Sequence, residues 1–317
     1  EEKGLTFKHN ESKKSSYEIS TYVGSSAGSF IGAFLAAGFE PRDFVESTLK
    51  LTKNNNSKLR SLKYTDIFSL KRNYSVAGKS DMYHPFDNFP LGIKSLLKPL
   101  LSINGLFSTS GIHDYMTREI LKDKPNFSDY KADLFIVTSQ LDFSRKVIFG
   151  KYNYPHASHD NTAYYKTNTS IADAAAASMS VPPFFAPYAI MDPETNNYDY
   201  YIDGEIRETL STHVAEDNDC DIIISSWTHT PYQFHDEIGS LVNYGLPFIG
   251  LQAIYLMIQK KILPARANKA TAYDVIETVN DYLLLEKFPA KHRKNLISIL
   301  EKKLHIKKNI KYIDIYP

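Results

Sequence analysis

The stretch Thr21–Phe30, TYVGSSAGSF, decides how the chain is read. The residues leading into it, YEISTYV, are β-branched and aromatic and predict a strand. Those that follow, SFIGAFLAAGF, put Phe30, Ala33, Phe34 and Ala37 on one face at helical spacing, with Gly38 placed to end the helix. Between them, Gly24-Ser25-Ser26-Ala27-Gly28 forms a G-x-S-x-G run on a strand-to-helix turn. That pattern holds a serine hydroxyl outward at the tip of a sharp turn, the nucleophile elbow. Gly24 and Gly28 are expected to flank Ser26 because a Cβ at either position would collide with the adjoining strand or helix. A helix starting at the serine turns its N-terminal amides and positive dipole end toward developing negative charge. The plain alternative is a helix capped by serine, with glycines for packing.

A serine hydroxyl is a poor nucleophile without a base. Two sources are open. His213, His229 and His235 lie downstream, which fits the Ser–acid–His order of α/β-hydrolases. That fold sets several strands before the elbow, whereas one strand fits before Gly24 in the sequence given. The other source is Asp203 in YYIDGEIRE, a carboxylate at a strand end followed by Gly204. Its plain reading is an Asp-Gly turn.

Composition narrows the field. At 317 residues, with 43% hydrophobic residues, the chain suits one large domain or a domain with an extension. A net charge of +1 gives no polyanion signal, so no nucleic-acid partner is expected. Cys220 is the single cysteine, which excludes an internal disulfide and reads as a core thiol in CDIIISSW. No His/Cys/Asp cluster has metal-ligand spacing, and no metal or cofactor is expected.

Strands and helices alternate, which indicates α/β architecture. Residues 8–18 read as a loop, Pro41 opens a second helix, and residues 53–110 read as short helices and loops forming a cap. GIHDYMTREIL is a helix. ADLFIVTSQLDF and KVIFGKY are strands paired through a turn at Ser144 and Arg145. TSIADAAAASMS is a helix, YDYYIDGE a strand, STHVAED a helix, and CDIIISSW a strand apolar enough to be covered on both faces.

Three stretches together resemble the patatin-like phospholipase family: VGSSAGSFIGAFLAAG, AAAASMSVPPFFAPYAI and YYIDGEIRETLSTHVAEDNDCDIIISS. The resemblance spans roughly residues 1–227. It implies a three-layer sandwich with a mostly parallel central sheet, a nucleophile elbow, and a Ser-Asp dyad in which Ser26 is the nucleophile and Asp203 the base. It also implies a lipid acyl hydrolase of phospholipase A or lysophospholipase type, working through an acyl-serine on phospholipid or lysophospholipid. Two departures stand out. Glu205 occupies a position where the family has Gly or Ala. The family's glycine-rich oxyanion loop is not in the sequence, and is expected upstream of residue 1 or absent. The alternatives are a catalytically impaired lipid-binding or interaction protein, or an acyltransferase of related fold.

The expected division is a catalytic domain over 1–227 and a mostly helical extension over 228–317. Residues 238–259 carry no charge, although Ser240, Asn243, Gln252, Gln259 and Pro247 argue against a simple membrane span. Residues 287–311 hold nine Lys or Arg against one acidic residue, Glu301, which suits a solvated face or an anionic headgroup layer. Leu296, Ile299, Leu300 and Leu304 are expected to form the buried seam of this helix. Peripheral contact with an anionic membrane is therefore expected through 238–259 or 287–311. A cytoplasmic or peripheral-membrane setting is favoured, with secretion left open.

Overall fold

The computed structural model describes residues 5–7, 17–49, 58–70, 104–154, 163–228, 230–304, 306 and 310–316. The expected loop over 8–18 and cap over 53–110 lie largely outside the described residues, as does His229. By its internal contacts the chain divides into two units, Glu1–Pro155 with Thr162–Arg207, and His156–Asn161 with Glu208–Pro317. The boundary expected at 227 therefore lies inside the second unit.

In the first unit, β1 (Leu5–Phe7) and β2 (Tyr17–Ile19) form a small parallel pair. β3 (Thr21–Ser25) leads through Ser26 into α1 (Ala27–Ala36). This helix buries Phe30, Ala33 and Phe34, the face its 3.6-residue spacing predicts. α2 (Pro41–Leu49) starts at its proline, and the short α3 (Tyr64–Ile67) follows. α4 (Ser110–Tyr115) continues as a π-helical turn to Leu121.

β4 (Asp133–Gln140) is the centre of the unit, and all eight of its residues are buried. Its run of Leu134, Phe135, Ile136 and Val137 is what a strand covered on both faces requires. Around it lie β5 (Arg145–Phe149), β6 (Ala163–Lys166), β7 (Tyr188–Asp192) and β8 (Asn197–Asp203), in the order β6-β5-β4-β8-β7, with β3 also paired to β4. α5 (Ile171–Ser178) packs on β4, its N-terminus capped by Ser170, which accepts from the Asp173 amide.

The sheet is mixed, not mostly parallel. β3–β4 and β5–β6 run parallel, whereas β4–β5, β4–β8 and β7–β8 are antiparallel. Chain connectivity explains two of the three antiparallel pairs. β4 and β5 are joined by a four-residue turn ending at Ser144 (φ 50°), and β7 and β8 by another ending at Asn196 (φ 55°). Connections so short join only antiparallel neighbours.

The second unit holds α6 (Thr212–Asp217), β9 (Ile222–Ser226), α7 (Leu246–Leu285), α8 (Ala290–Lys303) and β10 (Lys311–Ile315). The extension is thus not wholly helical, because β10 pairs in parallel with β9. β9 is not covered on both faces either, since its residues alternate exposed and buried. In α8 the buried residue is Ile297, while Leu296, Ile299 and Leu304 of the expected seam are exposed. α7 has 40 residues and so extends about 60 Å. Among the described residues it is the one helix long and apolar enough to cross a membrane by length and composition.

Candidate active site

The register of β4 brings two remote segments together. β3 runs parallel to β4 and ends with Ser25 opposite Val137. β8 runs the other way along the same edge of β4 and ends with Asp203 opposite Thr138. The two strand ends therefore meet head to head at neighbouring positions of one buried strand.

Ser26 forms the turn itself, with φ 53° and ψ −131°. A non-glycine residue at this angle is strained, and such strain persists only where surrounding contacts fix it. Both sides of its main chain are held. Its amide donates to Ser178 Oγ at 2.9 Å. Its carbonyl accepts from the Ser29 hydroxyl at 2.6 Å and the Ser29 amide at 2.9 Å. The first amides of α1, at Ala27 and Gly28, open the helix beside Ser26 and have no partner within the first turn.

Gly24 meets the expectation for a close approach. A Cβ there would fall on the Gly28 carbonyl and 2.6 Å from the Ser29 Cα. Gly28 does not, for a Cβ added there meets nothing within 4 Å. Its side of the helix is exposed, so packing sets no demand for glycine at that position.

Asp203 is 1% exposed. Its amide donates to the Ser180 carbonyl at 3.0 Å, and its carbonyl accepts from Ser139 Oγ at 3.0 Å. Oδ1 accepts from the Glu205 amide at 2.9 Å, while Oδ2 is buried with no hydrogen-bond partner among the described residues. Burial pushes the carboxyl up to about 6, against the opposing pull of the Ser26 hydroxyl and the Glu205 amide. Gly204 permits a close approach. A Cβ there would fall on the Val137 carbonyl and 2.6 Å from Ser25 Oγ, itself buried without a hydrogen-bond partner among the described residues. Glu205 is 7% exposed and so does not point to solvent.

Of the three downstream histidines, His213 and His235 belong to the second unit. His213, on α6 of the second unit, is buried with Nδ1 3.3 Å from Glu208 Oε1. His235 is exposed, and its Nδ1 accepts from the Glu237 amide at 3.4 Å.

A family model for patatin-like phospholipase matches residues 10–216. The chain belongs to the patatin-like phospholipase family. No curated protein gives a significant match. The matched span runs from before β2 into α6 and contains Ser26, Asp203 and the whole central sheet. At the level of the family, this patatin-like phospholipase is an α/β protein of lipid acyl hydrolase type with a lipid substrate.

Reading the sequence did not single out Ser139, Ser178 or Ser180, although each bonds the main chain of Ser26 or Asp203. The AAAASMS run was legible as a helix and as part of a resemblance, but not as a support for Ser26 and Asp203. A physical signal was present in it: hydroxyls at the end of an otherwise alanine helix, where a buried polar side chain must find a partner.

Proposed function

We propose that the chain hydrolyses fatty acyl esters of phospholipid or lysophospholipid through a Ser26–Asp203 dyad. What supports this reading is the meeting of β3 and β8 at Val137 and Thr138 of β4, where β3 leads into the strained Ser26 turn and β8 ends at the buried carboxylate of Asp203. Asp203 takes the Ser26 proton as Oγ attacks the ester carbonyl. The tetrahedral adduct collapses to an acyl-serine as the proton passes to the departing alcohol. Water, deprotonated by Asp203, then attacks the acyl-serine; fatty acid leaves and the proton returns to Ser26. The first amides and positive end of α1 favour the developing oxyanion. A carboxyl lifted to about 6 is ionised at neutral pH and a better base than an exposed aspartate.

The reading extends to peripheral contact with an anionic membrane through 238–259 or 287–311. In its favour, Val242, Leu246 and Met257 are exposed in an uncharged run that ends at the exposed Lys260 and Lys261. Lys291, Lys294, Lys302 and Lys303 are exposed on α8. Binding to anionic vesicles should exceed binding to neutral ones and weaken with salt. Equal, salt-indifferent binding would remove this part of the proposal.

The dyad is tested by fluorophosphonate labelling with peptide mapping, alongside fatty-acid release from phospholipid vesicles. Label is expected on Ser26 alone, with release lost in Ser26→Ala and Asp203→Asn. Label on another residue, or release that survives Ser26→Ala, would overturn it.

A further inference from the structure

Ser26 and Asp203 are far apart in the chain, yet one three-residue segment holds the main chain of both. Ser178, the last residue of α5, is fully buried. Its hydroxyl accepts from the Ser26 amide at 2.9 Å and donates to the Val137 carbonyl at 2.7 Å. Two residues on, the Ser180 carbonyl accepts from the Asp203 amide at 3.0 Å. Ser180 is itself anchored, its Oγ donating to the Ala176 carbonyl at 2.9 Å and lying 2.9 Å from Thr109 Oγ1.

The geometry of this segment points to Ser178 as a positioning residue for the reaction. We propose that its hydroxyl ties the strained Ser26 turn to β4 and, together with the Ser180 carbonyl, sets the distance between Ser26 and Asp203. The inference rests on the dyad reading. Ser178 reaches the chemistry only through the Ser26 main chain, so its action is on rate and not on substrate binding. The Ser26 amide lies at a turn outside any helix or ladder, and among the described residues Ser178 Oγ is its acceptor. Without the acceptor, the φ 53° conformation loses its hold on the amide side while the Ser29 bonds to the carbonyl remain. Ser26 Oγ then samples positions away from Asp203. Misplacement of a reacting group by about 1 Å costs on the order of 10²-fold in rate.

The test measures hydrolysis of a soluble short-chain ester by Ser178→Ala. A fall of about 10-fold to 10²-fold in kcat is expected, with KM within about twofold. The rate of fluorophosphonate labelling at Ser26 should fall by a similar factor. Ser178→Thr, which keeps the hydroxyl, should recover most of both. Ser178→Cys, close in size but a weak acceptor, gives the same reading where Ser178→Ala does not fold, and should show the same loss. A folded Ser178→Ala or Ser178→Cys protein with parental kcat and labelling rate would overturn the inference. So would a folded Ser178→Thr protein that recovers neither. Ser26→Ala separates the two levels. If it still hydrolyses the ester, the dyad reading has failed. If it is inactive while Ser178→Ala is parental, only the role of Ser178 has failed.

Discussion

Two buried carboxylates, Asp203 in the first unit and Glu216 in the second, are treated in opposite ways. Glu216 Oε1 accepts from Lys269 Nζ at 2.8 Å and from the Tyr312 hydroxyl at 2.8 Å, and the same lysine sits over the Tyr312 ring at 3.5 Å. Burial would raise this carboxyl, but Lys269 and Tyr312 more than offset it and hold it below the ordinary value. Asp203 is buried more deeply, yet no cation faces it among the described contacts and Oδ2 has no partner. Its carboxyl rises to about 6 because burial wins. A carboxylate that fastens α6 to α7 and β10 is met by a cation and a hydroxyl. One left short of donors costs stability, and groups kept in that condition concentrate where chemistry is done.

The largest contrast should come from the serine. Ser26→Ala is expected to lower ester hydrolysis by about 10⁴-fold or more with little change in thermal stability, measured by kcat/KM and by Tm. Glycine comes next. Gly204→Ala sets a Cβ against the Val137 carbonyl and 2.6 Å from Ser25 Oγ, so the Asp203–Gly204 end of β8 must shift off β4. Activity should fall on the order of 10²-fold, with about 1–3 kcal/mol lost in denaturant unfolding. Gly28→Ala, with open space around the added methyl, is the control and should leave folding stability within about 0.5 kcal/mol of the parent.

Glu216→Gln should sharpen the comparison from the other side. It removes the charge that Lys269 and Tyr312 bind, so stability should fall by roughly 1–3 kcal/mol at pH 7 with kcat unchanged. A depressed carboxylate contributes stability above the unfolded-state value near pH 4.3, and that contribution is lost as pH drops through its folded-state value. The deficit of Glu216→Gln should therefore shrink in acid. The smallest effect is expected for His213→Ala and His235→Ala, which should leave hydrolysis within about threefold of the parent. Loss of activity in either, with the fold intact, would replace the dyad with a triad.

Much of the candidate site was legible because the patterns that mark it are local. G-x-S-x-G between an extended run and a helical one, and Asp-Gly at a strand end, are patterns whose physical demands fall on adjacent residues. The face of α1 and the turn at Ser144 were legible for the same reason. What was hidden depends on partners remote in sequence. Strand directions followed from connection lengths that only the folded chain defines. β10 lay in a lysine-rich tail where composition masked the period-two pattern of KYIDI. Ile297, and not the expected Leu296, Ile299, Leu300 or Leu304, is buried on α8, because a helix with apolar residues on several sides is oriented by its neighbour and not by its own pattern. The burial of Glu205 and the bonds of Ser178 and Ser180 belong to the same class.

The pH dependence of Asp203 ties energetics to function in one protein. With its folded-state value near 6, above the ordinary carboxylate, ionising Asp203 costs stability. That cost is absent below about pH 4 and fully felt above pH 6. Hydrolysis by the parent should fall as pH drops below about 6 and the base takes up its proton. The deciding measurement is the Asp203→Asn protein, followed for ester hydrolysis and unfolding free energy between pH 4 and 7. Asparagine keeps an acceptor for the Glu205 amide but carries no charge. Hydrolysis at pH 7 should drop by about 10²–10⁴-fold while stability rises by up to about 3 kcal/mol, a gain that vanishes toward pH 4. Retained hydrolysis together with lower stability at pH 7 would show Asp203 to be a structural carboxylate like Glu216.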